Sequence, residues 1–484
     1  MSLTHVEQIA TWCAELRAEN IPARIVELSG AQMLAVHAGV AASADDDAAA
    51  RICEAIDDPL YQGAVRSMAL DFDDYLSFGH TGHSAVLVAD IIGDEAGADD
   101  ATRLCAQTVA NEVGARLGGA CLVGPLNGQL WSFIHAAGAA VCAAKLFGLD
   151  ATRTAHALAL SLTNAPHPTV PGFMAPDSKV VTAAEPITTG VRAARLAASG
   201  VTGPLDVLDH PKGFFSAFSD VALRGLLGGL GDGWAMHTLC VKPYPGCAYI
   251  DTTIDALGEI LAETGPLDPG EIESITIDAG VLTCEMDALS SQYAQAHPTP
   301  VTVTFSIPWN VAITVVAGKL SPDEVNSAWL DKHSVDLDAV RNLVTLNHDI
   351  DATLRSAKSF AQLLPLGALA REAGMRRWLG AIRGASRRHA GLRFRAPEIA
   401  SLAKQIATGE LPSMRGPRGY WDPEALERFA MTFPSSVEVR MRDGSRLTAA
   451  VEVPRGAAGH GEFGPVEAAY AKARLVGIPV PALT

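Results

Sequence analysis

Three carboxylates and two imidazoles fall close together in the stretch 70–86, LDFDDYLSFGHTGHSAV. The carboxylates are Asp71, Asp73 and Asp74, and the imidazoles are His80 and His83. The stretch reads as a loop that opens a helix near Ser84. Backbone N–H groups and the positive end of the helix dipole would then face an anion. A histidine at that place can exchange a proton with a bound substrate near neutral pH. The same His-x-x-His spacing beside aspartates also suits a metal ion, and such polar residues can simply cap a helix. Spacing alone leaves all three open.

Two lysines belong with this stretch by their setting. Lys179 ends PDSK, 176–179, in a proline-rich loop that follows NAPHP, 164–168. A loop lysine is ordinarily solvated. Lys242 lies in VKPYPGC, 241–247, where two prolines fix the backbone. That setting suits a preorganised ammonium aimed at developing negative charge. The glycine-rich run RGLLGGLGDGW, 224–234, follows no convincing strand and fits neither phosphate-binding fingerprint, so no nucleotide site is expected. Arginines cluster between 376 and 395, which reads as a solvated helix face or subunit contact, or as a device for steering an anionic substrate.

The elements that must position these groups are mostly helical. Helices are predicted over 101–117, 130–147, 151–163, 187–198 and 251–262, several of them stopping at glycine. The segment 265–270, GPLDPG, reads as a linker. After it, 271–277 alternates apolar and polar as a half-buried strand does, and 436–441 and 447–453 flank Asp443-Gly444 as a hairpin. Further helices are predicted over 312–320 and 423–431, and a last one over 465–476 that packs back on the first part of the chain. The fold class is therefore mainly α: a large all-helical domain, 1–268 and 457–484, with an inserted smaller α+β lid domain, 269–456.

Composition bounds the rest. A chain of 484 residues that is 48% hydrophobic and 19% charged can build a core and exceeds one compact domain. Its net charge of −17 argues against nucleic-acid or anionic-lipid partners. None of the eight cysteines forms a Cys-x-x-Cys pair, which points to buried thiols in a reducing compartment. No basic-then-apolar leader opens the sequence, and the apolar window 131–149 carries His135 and Lys145. It reads as a buried helix rather than a membrane span. A cytoplasmic protein with no membrane partner is expected.

Taken in order, several segments resemble the MmgE/PrpD family of 2-methylcitrate dehydratase and cis-aconitate decarboxylase. They are ALDFDDY (69–75), HSAV (83–86), GAAVCAAKLFGLD (138–150), GVRAARLAASGVTGP (190–204), KPYP (242–245) and VEVPRG (451–456). The resemblance implies a helical domain with an α+β lid, a homodimer, and an active site that uses no metal or organic cofactor. It implies chemistry beside the carboxylates of small polycarboxylic acids: loss of water, loss of carbon dioxide, or epimerisation through an α-proton.

Carried onto this sequence, the resemblance places catalytic groups at Asp73, His83, Lys179 and Lys242. Substrate contacts are expected from Ser77, His80, Gln129, Cys247 and Tyr293. Gln129 stands where the family commonly has a second histidine, and it can hydrogen-bond a carboxylate but not serve as an acid or base. The usual Gly-Asn-Ala ahead of Gly190 reads Ala184-Glu-Pro186, and Asp251 replaces a histidine after the lysine turn. In the expected mechanism the two lysines bind carboxylates and stabilise an enediolate-like intermediate. His83, oriented by Asp73, moves the proton. A lyase leads, an epimerase follows, and a non-catalytic carboxylate binder or a metal-dependent hydrolase are the further alternatives.

Overall fold

The computed structural model describes residues 3–124, 132–167, 169–174, 177–296, 298–364, 374, 376–377, 380 and 422–480. Gln129 and most of the arginine cluster lie outside the described residues. What is described is mainly α.

The helices follow local rules. Asp99 caps Asp100–Ala120 by accepting from the Thr102 amide, and Asp150 caps Ala151–Thr163 through Arg153. Asp58 caps Pro59–Ala69, whose first residue is a proline that needs no amide partner there. At the centre lies Ser132–Leu146, the apolar window of the sequence, in which every side chain but Lys145 is buried. It packs against Asp100–Ala120, Ala151–Thr163 and Val181–Ala198. Its alanines and glycine allow that crowding. A Cβ on Gly190 would lie 2.3 Å from the Ala136 carbonyl oxygen, so Val181–Ala198 meets the central helix backbone to backbone.

Pro186 sits inside Val181–Ala198, where it lacks the amide that would bond the Thr182 carbonyl. The Ser132 hydroxyl donates to that carbonyl instead at 3.1 Å. The departure Ala184-Glu-Pro186 is thus accommodated within an unbroken helix. Among the described residues one helix, Ala23–Ala42, is long and apolar enough to cross a membrane by length and composition, and half of its apolar window is buried inside the protein. It packs against the C-terminal helix Pro465–Leu475, so the chain's end returns to its beginning.

The β structure is small. Four strands lie in the order Val344–His348, Ile272–Ala279, Ser435–Met441, Arg446–Val451. The first pair is parallel and the others antiparallel, with Ile275 opposite both Val344 and Val439. Ile275, Ile277, Val437 and Val439 turn inward, as alternation requires. The hairpin anticipated around Asp443-Gly444 is present, with Gly444 at positive φ. The helix Asp251–Thr264 packs against its two strands. The helix expected over 312–320 is Ile307–Ala317, ended by Gly318 in the left-handed conformation.

A second, two-stranded pairing matters most for the site. Asp74–Tyr75 pairs antiparallel with Cys240–Val241, Asp74 opposite Val241. This ladder fastens the aspartate-rich loop to the proline-locked lysine turn.

Candidate functional site

Beyond the Asp74–Val241 pair the two segments stay joined by single contacts. The Lys242 amide donates to the Asp73 carbonyl at 3.2 Å, and the Gly246 amide points at the Asp71 carbonyl at 3.4 Å. Asp71 itself has φ 51, the left-handed region that a residue with a Cβ rarely adopts. Its carboxylate is held by two buried ammonium groups. Lys179 Nζ lies 3.0 Å from one oxygen and Lys242 Nζ 3.1 Å from the other. Lys242 also donates to the Asp71 carbonyl at 2.9 Å and pairs with Asp73. Lys179, whose loop setting suggested a solvated side chain, is instead fully buried over the Phe305 ring, 4.9 Å from its centroid.

Asp73 gathers the imidazoles. His80 Nδ1 lies 2.5 Å from Asp73 Oδ2, and His83 Nε2 lies 3.0 Å from the same oxygen. His83 Nδ1 is taken by the Ser67 hydroxyl at 2.7 Å. His83 is fully buried and packs edge to face on His135, 5.4 Å between centroids. Burial and neighbouring His83 hold the His135 imidazole well below its usual range, so His135 stays neutral.

Charge balance sets the protonation states. Burial pushes the Asp71 carboxyl up, but Lys179 and Lys242 outweigh it and hold it below the usual range. Burial acts on Asp73 likewise, and Lys242 with His80 holds it well below. For Lys242 burial lowers, yet Asp71 and Asp73 dominate and raise it. The two aspartates are therefore ionised and Lys242 is charged. Asp74 differs: burial and the adjacent Asp73 raise it, with Gln32 donating to it at 2.8 Å. Asp251 is buried too, and burial with nearby Asp255 pushes its carboxyl well above the ordinary range.

A third buried lysine comes from the C-terminal helix. Lys472 Nζ donates to the Phe72 carbonyl at 3.1 Å and reaches the Asp73 carbonyl at 3.4 Å, lying over the Phe72 ring. It grips the backbone of the aspartate loop from behind. Burial lowers its ammonium to about 7 against the pull of Asp73 and Asp74.

These groups border a cavity of about 330 Å³. Asp71, Ser77, His80 and Cys247 line it; His83, Lys179 and Lys242 stand behind that wall. The Ser77 hydroxyl accepts from Thr238 at 3.2 Å. Burial pushes the Cys247 thiol up to about 12, so it is no thiolate. Tyr293 lies half-buried on Val281–Ala296, packed among apolar residues, and is not among the cavity's lining.

Asp73, His80 and His83 present ligand atoms within 4.8 Å of one another, a spacing that a metal ion can use. Lys242 already pairs with Asp73 there. A cation beside that ammonium would meet like-charge repulsion, which disfavours a metal at this carboxylate.

Most of the cluster is legible in the sequence, and three members are not. Asp71 stands out only as one of three carboxylates, and residue type does not mark its left-handed backbone. His135 had a signal, a lone imidazole in an alanine-rich window. Lys472 had almost none beyond a lysine on the face that carries Ala468, Ala469 and Ala473.

Residues 59–223 match the MmgE/PrpD N-terminal domain. The matched span holds Asp71, Asp73, His80, His83 and Lys179, while Lys242, Cys247 and Lys472 lie beyond it. No curated protein matches the chain.

Proposed function

We propose, from the match of residues 59–223 to the MmgE/PrpD N-terminal domain, that the chain is a member of that family and a cofactor-independent lyase acting beside a carboxylate of a small polycarboxylic acid. The observation that carries this reading is one cavity wall. Lys179 and Lys242 converge on Asp71 there, next to His80, whose Nδ1 is held 2.5 Å from Asp73. The reaction begins with removal of the proton α to a carboxylate. Negative charge then grows on the carboxylate oxygens as an enediolate forms. Two ammonium groups in a dry site favour that charge more than they favour the ground state, by roughly 3–4 kcal/mol per well-placed donor.

His80 is the imidazole on the cavity wall, so it takes the proton-moving role that the sequence suggested for His83. Asp73 fixes its tautomer by accepting from Nδ1 and stabilises the imidazolium that forms. His83 holds the other approach to Asp73 and serves as a positioning residue. In a dehydration the intermediate expels the β-hydroxyl, which leaves as water with the proton held on the imidazolium, to give the unsaturated product. In a decarboxylation the carbanion forms instead by loss of carbon dioxide and takes a proton from the imidazolium. The four-stranded sheet and its helices act in this reading as the lid over the helical part. Reprotonation from the other face would give an epimerase, the second reading, since the same carbanion serves both.

The test is NMR of the chelator-treated protein in deuterated water with a panel of di- and tricarboxylates. Loss of water or carbon dioxide from one compound supports the lyase. Deuterium entry into unchanged compound supports the epimerase. Binding of an acid with neither change would sink both in favour of a carboxylate-binding protein.

A further inference from the structure

The proton chemistry uses only a small part of the cavity wall. Apart from Asp71, Ser77, His80 and Cys247, its described lining is almost wholly hydrocarbon and aromatic, and no lysine or arginine among the described residues lines it. One side is an aromatic group. Phe360 lies 6.1 Å from Phe78 and 6.0 Å from Phe433, and Phe433 lies 4.8 Å from Tyr249, all centroid to centroid. Leu282 and Met286, four residues apart and half-buried on Val281–Ala296, extend that side. The other side is Phe173 against Phe305, 5.3 Å apart, with the Lys179 ammonium over the Phe305 ring.

Lys179 and Lys242 do not themselves line the cavity, and Asp71, which does, pairs with both ammonium groups and neutralises part of their charge. Among the described lining residues, a third carboxylate on the ligand would meet rings and methyl groups and no cation. Such a group loses its hydration without compensation. An apolar substituent in the same place removes hydrocarbon wall from water instead.

We propose that the substrate is a dicarboxylate bearing an alkyl or aryl substituent. Its acid groups sit at the Ser77 and His80 end, and its substituent lies against Phe360, Phe433 and Met286. This rests on the carboxylate-lyase reading above and narrows it.

Isothermal titration of the full chain with succinate, 2-methylsuccinate, 2-butylsuccinate, 2-benzylsuccinate, tricarballylate and 2-benzylsuccinamide tests it. Affinity should rise about fourfold per methylene until the cavity is full, with tricarballylate no tighter than succinate and the diamide weaker than its acid. A flat alkyl series with tricarballylate tightest overturns the inference and leaves the carboxylate reading standing. A diamide as tight as its acid, with the chain-length trend kept, does the reverse: the apolar wall holds and the carboxylate reading falls. No binding by any of the acids overturns the inference as well. Met286→Arg, at a half-buried wall position, should weaken 2-benzylsuccinate at least tenfold and strengthen tricarballylate. Leu282→Ala, which leaves charge unchanged, should flatten the chain-length series; wild-type ordering in both variants counts against the proposal.

Discussion

Asp71 is the residue on which the site's charges turn, because each of its oxygens faces a different buried lysine. Removing one lysine leaves a buried carboxylate short of a partner, which typically destabilises by about 3–5 kcal/mol. Lys179→Ala should therefore lower both the melting temperature and kcat, the latter roughly 10²–10³-fold if its ammonium stabilises the enediolate. Adding Asp71→Asn separates the two effects. The double variant should recover much of the stability, read by calorimetry, and none of the activity. Recovery of activity together with stability would make Lys179 a structural ion-pair partner only. His83→Gln removes the imidazole beside Asp73 Oδ2 without touching the cavity, so its mark should be a lower kcat at an unchanged KM. An unchanged kcat would leave His83 without a positioning role.

At the scale of elements, the site depends on close approaches that small residues permit. Gly190→Ala would force the helices Val181–Ala198 and Ser132–Leu146 apart, since the new Cβ meets backbone rather than a side chain that can yield. Overpacking of that kind costs about 1–3 kcal/mol, and a chemical-denaturation midpoint shows it directly; an unchanged midpoint would mean that the contact relaxes freely. The C-terminal helix contributes a pH signature. Lys472 is held at about 7 in the fold, against 10.5 ordinarily. Between those values the unfolded chain binds a proton that the folded chain lacks, so the stability contributed there rises with pH. Melting temperatures of the wild type should climb relative to Lys472→Met from about pH 7 upward. Parallel curves would show that burial does not lower the proton affinity of Lys472.

Across the whole molecule, helices and hairpin were legible because their signals are local. Caps such as Asp99 and Asp150, the apolar window around Ala136, and the alternation after residue 271 each announce their own element. The chemistry was legible where residue types cluster, at 71–83 and 241–247, and the short ladder from Asp74–Tyr75 to Cys240–Val241 is what joins the two stretches. What stayed hidden depends on long-range burial. Lys179 looked like a solvated loop residue because the rings beneath it come from residues 173 and 305. The choice between His80 and His83 rested on which imidazole meets the cavity, and both carry the same sequence signal. Lys472 arrives from some 400 residues away, with nothing in its neighbourhood to mark it.

The proposed reaction requires proton transfer beside a carboxylate at His80, without a metal. The direct measurement is the rate of solvent deuterium entry into a bound dicarboxylate, for the wild type and His80→Ala, after exhaustive chelation. Exchange is expected in the chelated wild type, with a loss of roughly 10²–10⁴ in the variant. Exchange abolished by chelation and restored by a divalent ion would contradict it, and would assign Asp73, His80 and His83 to a metal instead.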